Sequence, residues 1–110
     1  GKQVLTQPVM AADGTEARSR GLRFGVHAVG RDGIRYAVAA GVDTVEHGNF
    51  LDEETVAAIA RAGTALCPTL AIYRTIAQNV DGDIPAYASA KAKTAVAAHE
   101  QSFRWRWRRA

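Results

Sequence analysis

LRFGVHAVGRDGIRYAVAAGVDTVEHGNFLDEETVAAIARAGTALC, residues 22–67, is the stretch on which the fold turns. It holds three short β-like runs, Leu22–Ala28 (LRFGVHA), Val42–His47 (VDTVEH) and Thr64–Cys67 (TALC). Each opens directly after a glycine, Gly21, Gly41 or Gly63, that closes a helix-like stretch, at intervals of 20 and 22 residues. That period accommodates a strand of about five residues, a helix of about ten and short loops, the βα unit. Asp32 is positioned to cap a helix with Ile34, Ala37 and Val38 on one face, ended by a left-handed Gly41. Asp52 caps the next, Glu53 and Glu54 put negative charge at its positive end, Val56, Ile59 and Ala60 form its apolar stripe, and Gly63 ends it. Strands alternating with helices imply an α/β fold with a parallel sheet. A closed eight-stranded barrel takes about 250 residues. Three units therefore make either a small open domain or a piece of a barrel.

Outward from this stretch the signals thin. Pro68–Asp83 has apolar residues without clean periodicity and ends in a turn signal at Asp81, Gly82 and Asp83. Pro85 suits the first turn of a long C-terminal helix over about 86–103, with Ala88, Ala92, Ala95, Val96, His99 and Phe103 near one face. The chain divides into an N-terminal segment 1–20, a βα body 21–103 and an Arg/Trp-rich tail 104–110. With 110 residues, 47% of them hydrophobic and 23% charged, the composition is that of one globular domain and excludes disordered and collagenous classes. Lys and Arg total 14 against 11 Asp and Glu, but Arg104, Arg106, Arg108 and Arg109 carry the excess. Ten basic residues then face eleven acidic ones in the body, which has no basic surface for a specific nucleic-acid partner. A single cysteine, Cys67, closes no disulfide and reads as a small buried residue. No run reaches the roughly 18 apolar residues of a transmembrane segment, so the expected setting is cytoplasmic.

In parallel α/β folds side chains that do chemistry gather at the C-terminal ends of strands. His27 and His47 stand at the ends of the first two runs, one βα unit apart, on the same rim. Alternation sets Phe24, Val26 and Ala28 on one strand face and His27 on the other, and groups Asp43, Val45 and His47. Two imidazoles on neighbouring strand ends suit a divalent metal. A catalytic zinc site usually takes three protein ligands plus water, so two fall short. The other reading is a pair of rim histidines engaged in hydrogen bonds, and His99 reads as part of a helical face. Glu46 points away from His47 and reads as an orienting group rather than a base; Gly48 lets the chain turn sharply beneath the site.

The motifs H-A-x-G, G-I-R-x-A, A-G-V-D-x-x-E-H-G and P-T-L, in that order over Gly25–Leu70, resemble the strand 5 to strand 7 portion of metal-dependent amidohydrolases. The group is the imidazolonepropionase-like one that includes Xaa-Pro dipeptidases. Lys91–Arg104 (KAKTAVAAHEQSFR) is similar to the family's segment leading towards strand 8. The resemblance implies a partial (β/α)₈ TIM barrel of about three parallel βα units with a long C-terminal helix. It also implies a hydrolase of amide or peptide C–N bonds that uses metal-activated water. By the same comparison His27 and His47 match the strand 5 and strand 6 metal ligands, and the cofactor is a divalent metal, expected to be zinc. Asn49 and Tyr73, placed on loops after strand ends, are candidate contacts for a small amide or dipeptide substrate.

This sequence departs from the family pattern in three places. The family's His-x-His pair on strand 1, its carboxylated Lys on strand 4 and its Asp on strand 8 have no positions here, so no residue is assigned a catalytic role. Val29 stands where many relatives carry a second His. The expectation is a hydrolase fragment that is inactive as an isolated chain. Two unpaired strand edges and an uncovered sheet face predict self-association. The competing reading is a non-enzymatic module whose tail, Arg-Trp-Arg-Trp-Arg-Arg, binds an anionic membrane or single-stranded nucleic acid; the plainer account of that tail is a disordered or foreign ending.

Overall fold

The three glycine-led repeats fold as strand followed by helix. The computed structural model describes residues 5–79 and 81–109, the side chains of residues 105–109 excepted. In chain order the elements are α1 (Gln7–Ser19), β1 (Gly25–Ala28), α2 (Arg31–Ala39), β2 (Thr44–His47), α3 (Glu53–Ala62), β3 (Ala65–Cys67), α4 (Leu70–Gln78) and α5 (Ala86–Arg109). The strands form one parallel sheet in the order β1-β2-β3. Val26 lies opposite Val45, and Val45 opposite Leu66. This is three parallel βα units of a barrel wall, the fold class the sequence implies.

The strands are shorter than the β-like runs, for a local reason. The Asp43 carboxylate accepts a hydrogen bond from the Phe24 N–H at 2.7 Å, while the Asp43 backbone exchanges bonds with Phe24 and Ala65. Leu22 to Phe24 are thus held by a side chain and a turn instead of a ladder. The helix ends follow the sequence closely at α3. Asp52 Oδ1 accepts from the Thr55 N–H at 2.8 Å, and Gly63 closes the helix at φ 70°. Asp32 is not the cap of α2. Gly30 takes that position without a side-chain bond, and Asp32 lies in the first turn, where its charge still favours the helix dipole. Gly41 is left-handed, at φ 77°, as its place after the last turn requires. The Arg18 guanidinium donates to the carbonyls of Ala40 and Gly41 there, tying α1 to the end of α2.

One face of the sheet is covered. Val45 meets Ile34, Ala37, Val56 and Ile59, all fully buried, with Met10 of α1 completing the cluster. Ala60 does not belong to the buried stripe of α3; Thr55 replaces it, because the helix turns its Thr55–Val56–Ile59 side to the sheet. The other face is bare: Gly25, His27, Ala65 and Cys67 are exposed. Cys67 is accordingly an exposed thiol and not a buried filler.

Beyond β3 the chain forms a helix the sequence pattern does not announce. α4 is flanked by two left-handed residues, Thr69 at φ 46° and Asn79 at φ 44°, and buries no residue completely. It packs along α5. α5 runs to Arg109, past the expected end at 103, and its buried face is Ser89, Ala92, Ala95, His99 and Ser102. Phe103, expected on that face, is 37% exposed, and Ser102 points inward instead. Gly1 to Val4, Val80 and Ala110, and the side chains of the Arg/Trp tail from Trp105, lie outside the described residues. No described helix is long and apolar enough to cross a membrane.

Candidate metal centre

His27 is the third residue of β1 and His47 the last of β2. In the parallel register His27 lies opposite Glu46, and His47 opposite Ala28. Side chains at paired positions project from the same face, so a regular β2 sends Glu46 to the side of His27 and His47 to the covered side with Val45. The backbone overrides this. His47 has φ 80° and Gly48 φ 61°, two successive left-handed residues. A non-glycine residue in that region costs on the order of 1–3 kcal/mol and persists where its surroundings over-determine it. The consequence is that His47 leaves the face shared by Asp43 and Val45 in simple alternation and turns to His27. Gly48 is required at its position twice over: its φ is positive, and a Cβ there would lie 2.5 Å from Leu66 Cδ1.

His47 Nε2 and His27 Nδ1 converge to 2.6 Å, with ring centroids 4.2 Å apart and planes inclined by 77°. The far nitrogen of His47, Nδ1, is 2.6 Å from Thr69 Oγ1. With Nδ1–H donating to that hydroxyl, Nε2 is left with its lone pair facing His27. A metal-binding imidazole typically has one nitrogen fixed by an oxygen partner and coordinates through the other; here that other nitrogen, Nε2, is hydrogen-bonded to His27 Nδ1, a contact a metal would replace. Burial lowers the pKa of His47, the charge of His27 lowers it further and Glu46 partly opposes both. These shifts favour the neutral ring that a metal needs. On donor chemistry the pair fits a divalent cation. It is an incomplete set: among the described residues no group of three or more His, Cys, Asp or Glu is arranged to hold a metal ion.

Glu46 and Cys67 occupy the same row of the bare face as His27. Glu46, opposite Cys67 in the strand register, raises the pKa of the thiol, with a smaller contribution from burial.

Of the two candidate substrate contacts, Asn49 lies on the loop after β2 as expected, whereas Tyr73 falls on a helix. Asn49 is fully buried: its Nδ2 donates to His99 Nδ1 at 3.1 Å and, more weakly, to the Ala95 carbonyl at 3.5 Å. Tyr73 stands on α4 and is half-buried, its ring edge-on to His47 (centroids 5.4 Å) and to His99 (6.0 Å). Burial raises the pKa of its phenol. His99 is 2% exposed and its pKa is lowered, first by burial, with the His47 backbone opposing and the His47 charge adding. Its Nε2 meets no acceptor in hydrogen-bond geometry, close as the His47 backbone is, and Asn49 Oδ1 is likewise unpartnered. His99 lies on the buried face of α5, as the helical spacing suggests, and from there its ring reaches the turn behind His47. Sequence alone carried no signal for this, because the contact spans 50 residues.

No family model matches the chain. Among solved structures it is similar to a Xaa-Pro dipeptidase with methionine bound in its active site, at 30% identity and TM-score 0.85 over 94% of this chain and 26% of that one. It is similar to an amidohydrolase at 31% identity and TM-score 0.86, over 94% of this chain and 25% of that one. A curated relative, an uncharacterized protein of Mycobacterium tuberculosis, is 35% identical over 75 residues, which are 66% of this chain and 20% of the relative. A parallel βα wall with histidines at its strand ends, matched over nearly the whole chain by enzymes of one kind, defines the class. Over 94% of its length the chain is similar to an amidohydrolase and a Xaa-Pro dipeptidase, as a fragment of that superfamily would be, and it spans about a quarter of the length of the structures it matches.

Proposed function

We propose that this segment forms part of a metal-dependent hydrolase of amide or peptide C–N bonds, with His27 and His47 as two ligands of a divalent metal, zinc in the first instance. The convergence of His27 Nδ1 and His47 Nε2 at 2.6 Å on the strand-end rim supports this reading. The bound metal would lower the pKa of water so that hydroxide is available near neutral pH. Thr69 fixes the His47 ring through Nδ1. Tyr73, half-buried against His47, excludes water from one side of that ring and presents its edge where a small amide or dipeptide would approach. Asn49, being buried, supports the site from behind and does not touch substrate.

The likeness to a Xaa-Pro dipeptidase favours dipeptides as the substrate class of the complete barrel. With two donors and no third among the described residues, the chain alone holds metal weakly and does not turn over substrate. The bare sheet face and the outer edges of β1 and β3 favour pairing, with further barrel strands or with a second copy. A cytoplasmic setting, in which Cys67 remains a thiol, belongs to the same reading. Elemental analysis of the purified chain dialysed against micromolar zinc tests it. Bound zinc that disappears in the His27→Ala/His47→Ala double variant, without dipeptide hydrolysis by either protein, is expected. Zinc retained by the double variant contradicts the ligand assignment, and dipeptide turnover by the wild-type chain contradicts its inactivity.

A further inference from the structure

We propose that Asn49, His99 and Ser102 are positioning residues for His47: together they lock the left-handed turn that brings its imidazole to His27. The inference rests on the ligand assignment given under Proposed function and adds the device that enforces it. Four observations lead to it. His47 and Gly48 are both left-handed, and the turn they begin passes directly into Asn49. Asn49 is 0% exposed, and its side-chain amide plugs into α5 through His99 Nδ1 and the Ala95 carbonyl. Ser102, one turn of α5 further on and 1% exposed, donates its hydroxyl to the Asn49 carbonyl at 2.8 Å and accepts from the Leu51 N–H at 3.0 Å. From the other side, Gly48 N–H and Phe50 N–H donate to the Ala28 and Val29 carbonyls of the neighbouring strand end.

The backbone from Gly48 to Leu51 is therefore pinned on both sides, by β1 and by α5. A residue with φ 80° survives only under such constraint. Remove the α5 side and His47 is able to relax to ordinary β geometry, whose alternation carries its ring away from His27. Ser102 is the more telling of the pins, because one oxygen satisfies a donor and an acceptor of the same turn, both of them backbone groups outside the rim histidines.

The test compares the full 110-residue chain with Ser102→Ala, with Asn49→Ala and with Ile59→Val, a core substitution that removes none of the turn's hydrogen bonds. Two readouts at pH 8 are used: the histidine ring ¹⁵N–¹H long-range spectrum without metal, which reports the His47 tautomer and its Nδ1 partner, and zinc affinity by competition with a chromophoric chelator. Ser102→Ala and Asn49→Ala are expected to lose the defined Nδ1–H tautomer of His47 and to weaken zinc at least tenfold. Ile59→Val is expected to lower the unfolding midpoint while leaving both readouts in place. A His47 ring spectrum unchanged in Ser102→Ala overturns the proposal, as does an equal change in Ile59→Val. If the wild-type chain takes up no zinc, the ligand assignment fails, and the metal-free ring spectra still decide whether the three residues position His47. Ser102→Ala removes a single oxygen and adds no volume, so it keeps the test open if Asn49→Ala does not fold.

Discussion

The two faces of the sheet carry opposite kinds of residue. On the covered side Val45 is fully buried against Ile34, Val56 and Ile59, and every group there works for stability. On the bare side His27, Glu46 and Cys67 form one row across three strands, polar or reactive and in large part exposed. In a closed barrel the inner face is filled by side chains from the remaining strands. The contrast shows that the segment's own fold is secured from one side only, while the groups that suit chemistry lie on the other. His47 links the two: its strand position belongs to the covered face and its backbone angle transfers it to the rim.

Substitutions that break this contrast rank by how much of the covered face they disturb. Ile59→Ala leaves a void among fully buried side chains and is expected to cost about 2–5 kcal/mol. Chemical denaturation of the two proteins measures it, and a loss below about 1 kcal/mol would mean that the covered face is not the core. Gly48→Ala forces a Cβ into the left-handed region and towards Leu66 Cδ1 at 2.5 Å, with an expected cost of about 1–2 kcal/mol. Thermal unfolding, with the His47 ring spectrum recorded alongside, is the check; both should change together.

Asp52→Ala removes the cap of α3 and is expected to cost about 1 kcal/mol at neutral pH. The sign of its pH dependence follows from the carboxyl. Thr55 holds the Asp52 pKa below its ordinary value, mainly through its hydroxyl and then through its N–H, of which the N–H alone makes a well-formed hydrogen bond. The unfolded chain then binds the proton more readily than the folded one. The stabilisation is fully present above the unfolded carboxyl pKa of about 3.9 and is lost as pH falls through the lower folded value. The gap between wild type and Asp52→Ala should accordingly narrow between about pH 5 and pH 2; a constant gap counts against the cap's charge. Ala65→Ser, on the bare face, is expected to fall within about 0.5 kcal/mol of wild type, and a larger loss in the same unfolding assay would show that this face is packed in solution.

The parts of the fold legible in the sequence are those whose physics is local. α3 announces itself through Asp52, two following glutamates and a left-handed Gly63, and each does the work its chemistry suggests. The 20-residue recurrence of glycine-led runs gives the parallel order of the strands, and the strand-end histidines follow from it. α4 was illegible because its boundaries are Thr69 and Asn79, left-handed residues without side-chain caps, and because it buries no residue whose spacing would mark a helix. The re-aiming of His47 was illegible for a related reason. A positive φ at a histidine has no sequence signature, and only the glycine after it hints at a sharp turn. The burial of Asn49 depends on His99 and Ser102, 50 and 53 residues away, which no local pattern connects to it.

The central claim is that His27 Nδ1 and His47 Nε2 serve one metal ion. It is tested most directly by zinc titration of the ¹⁵N-labelled chain, followed in the histidine ring spectrum. The account predicts that His27 Nδ1 and His47 Nε2 shift together as zinc is added, while the Nδ1 of His99, engaged with Asn49, stays in place. Zinc-dependent shifts centred on His99, or no shift in either rim histidine at millimolar zinc, would contradict it.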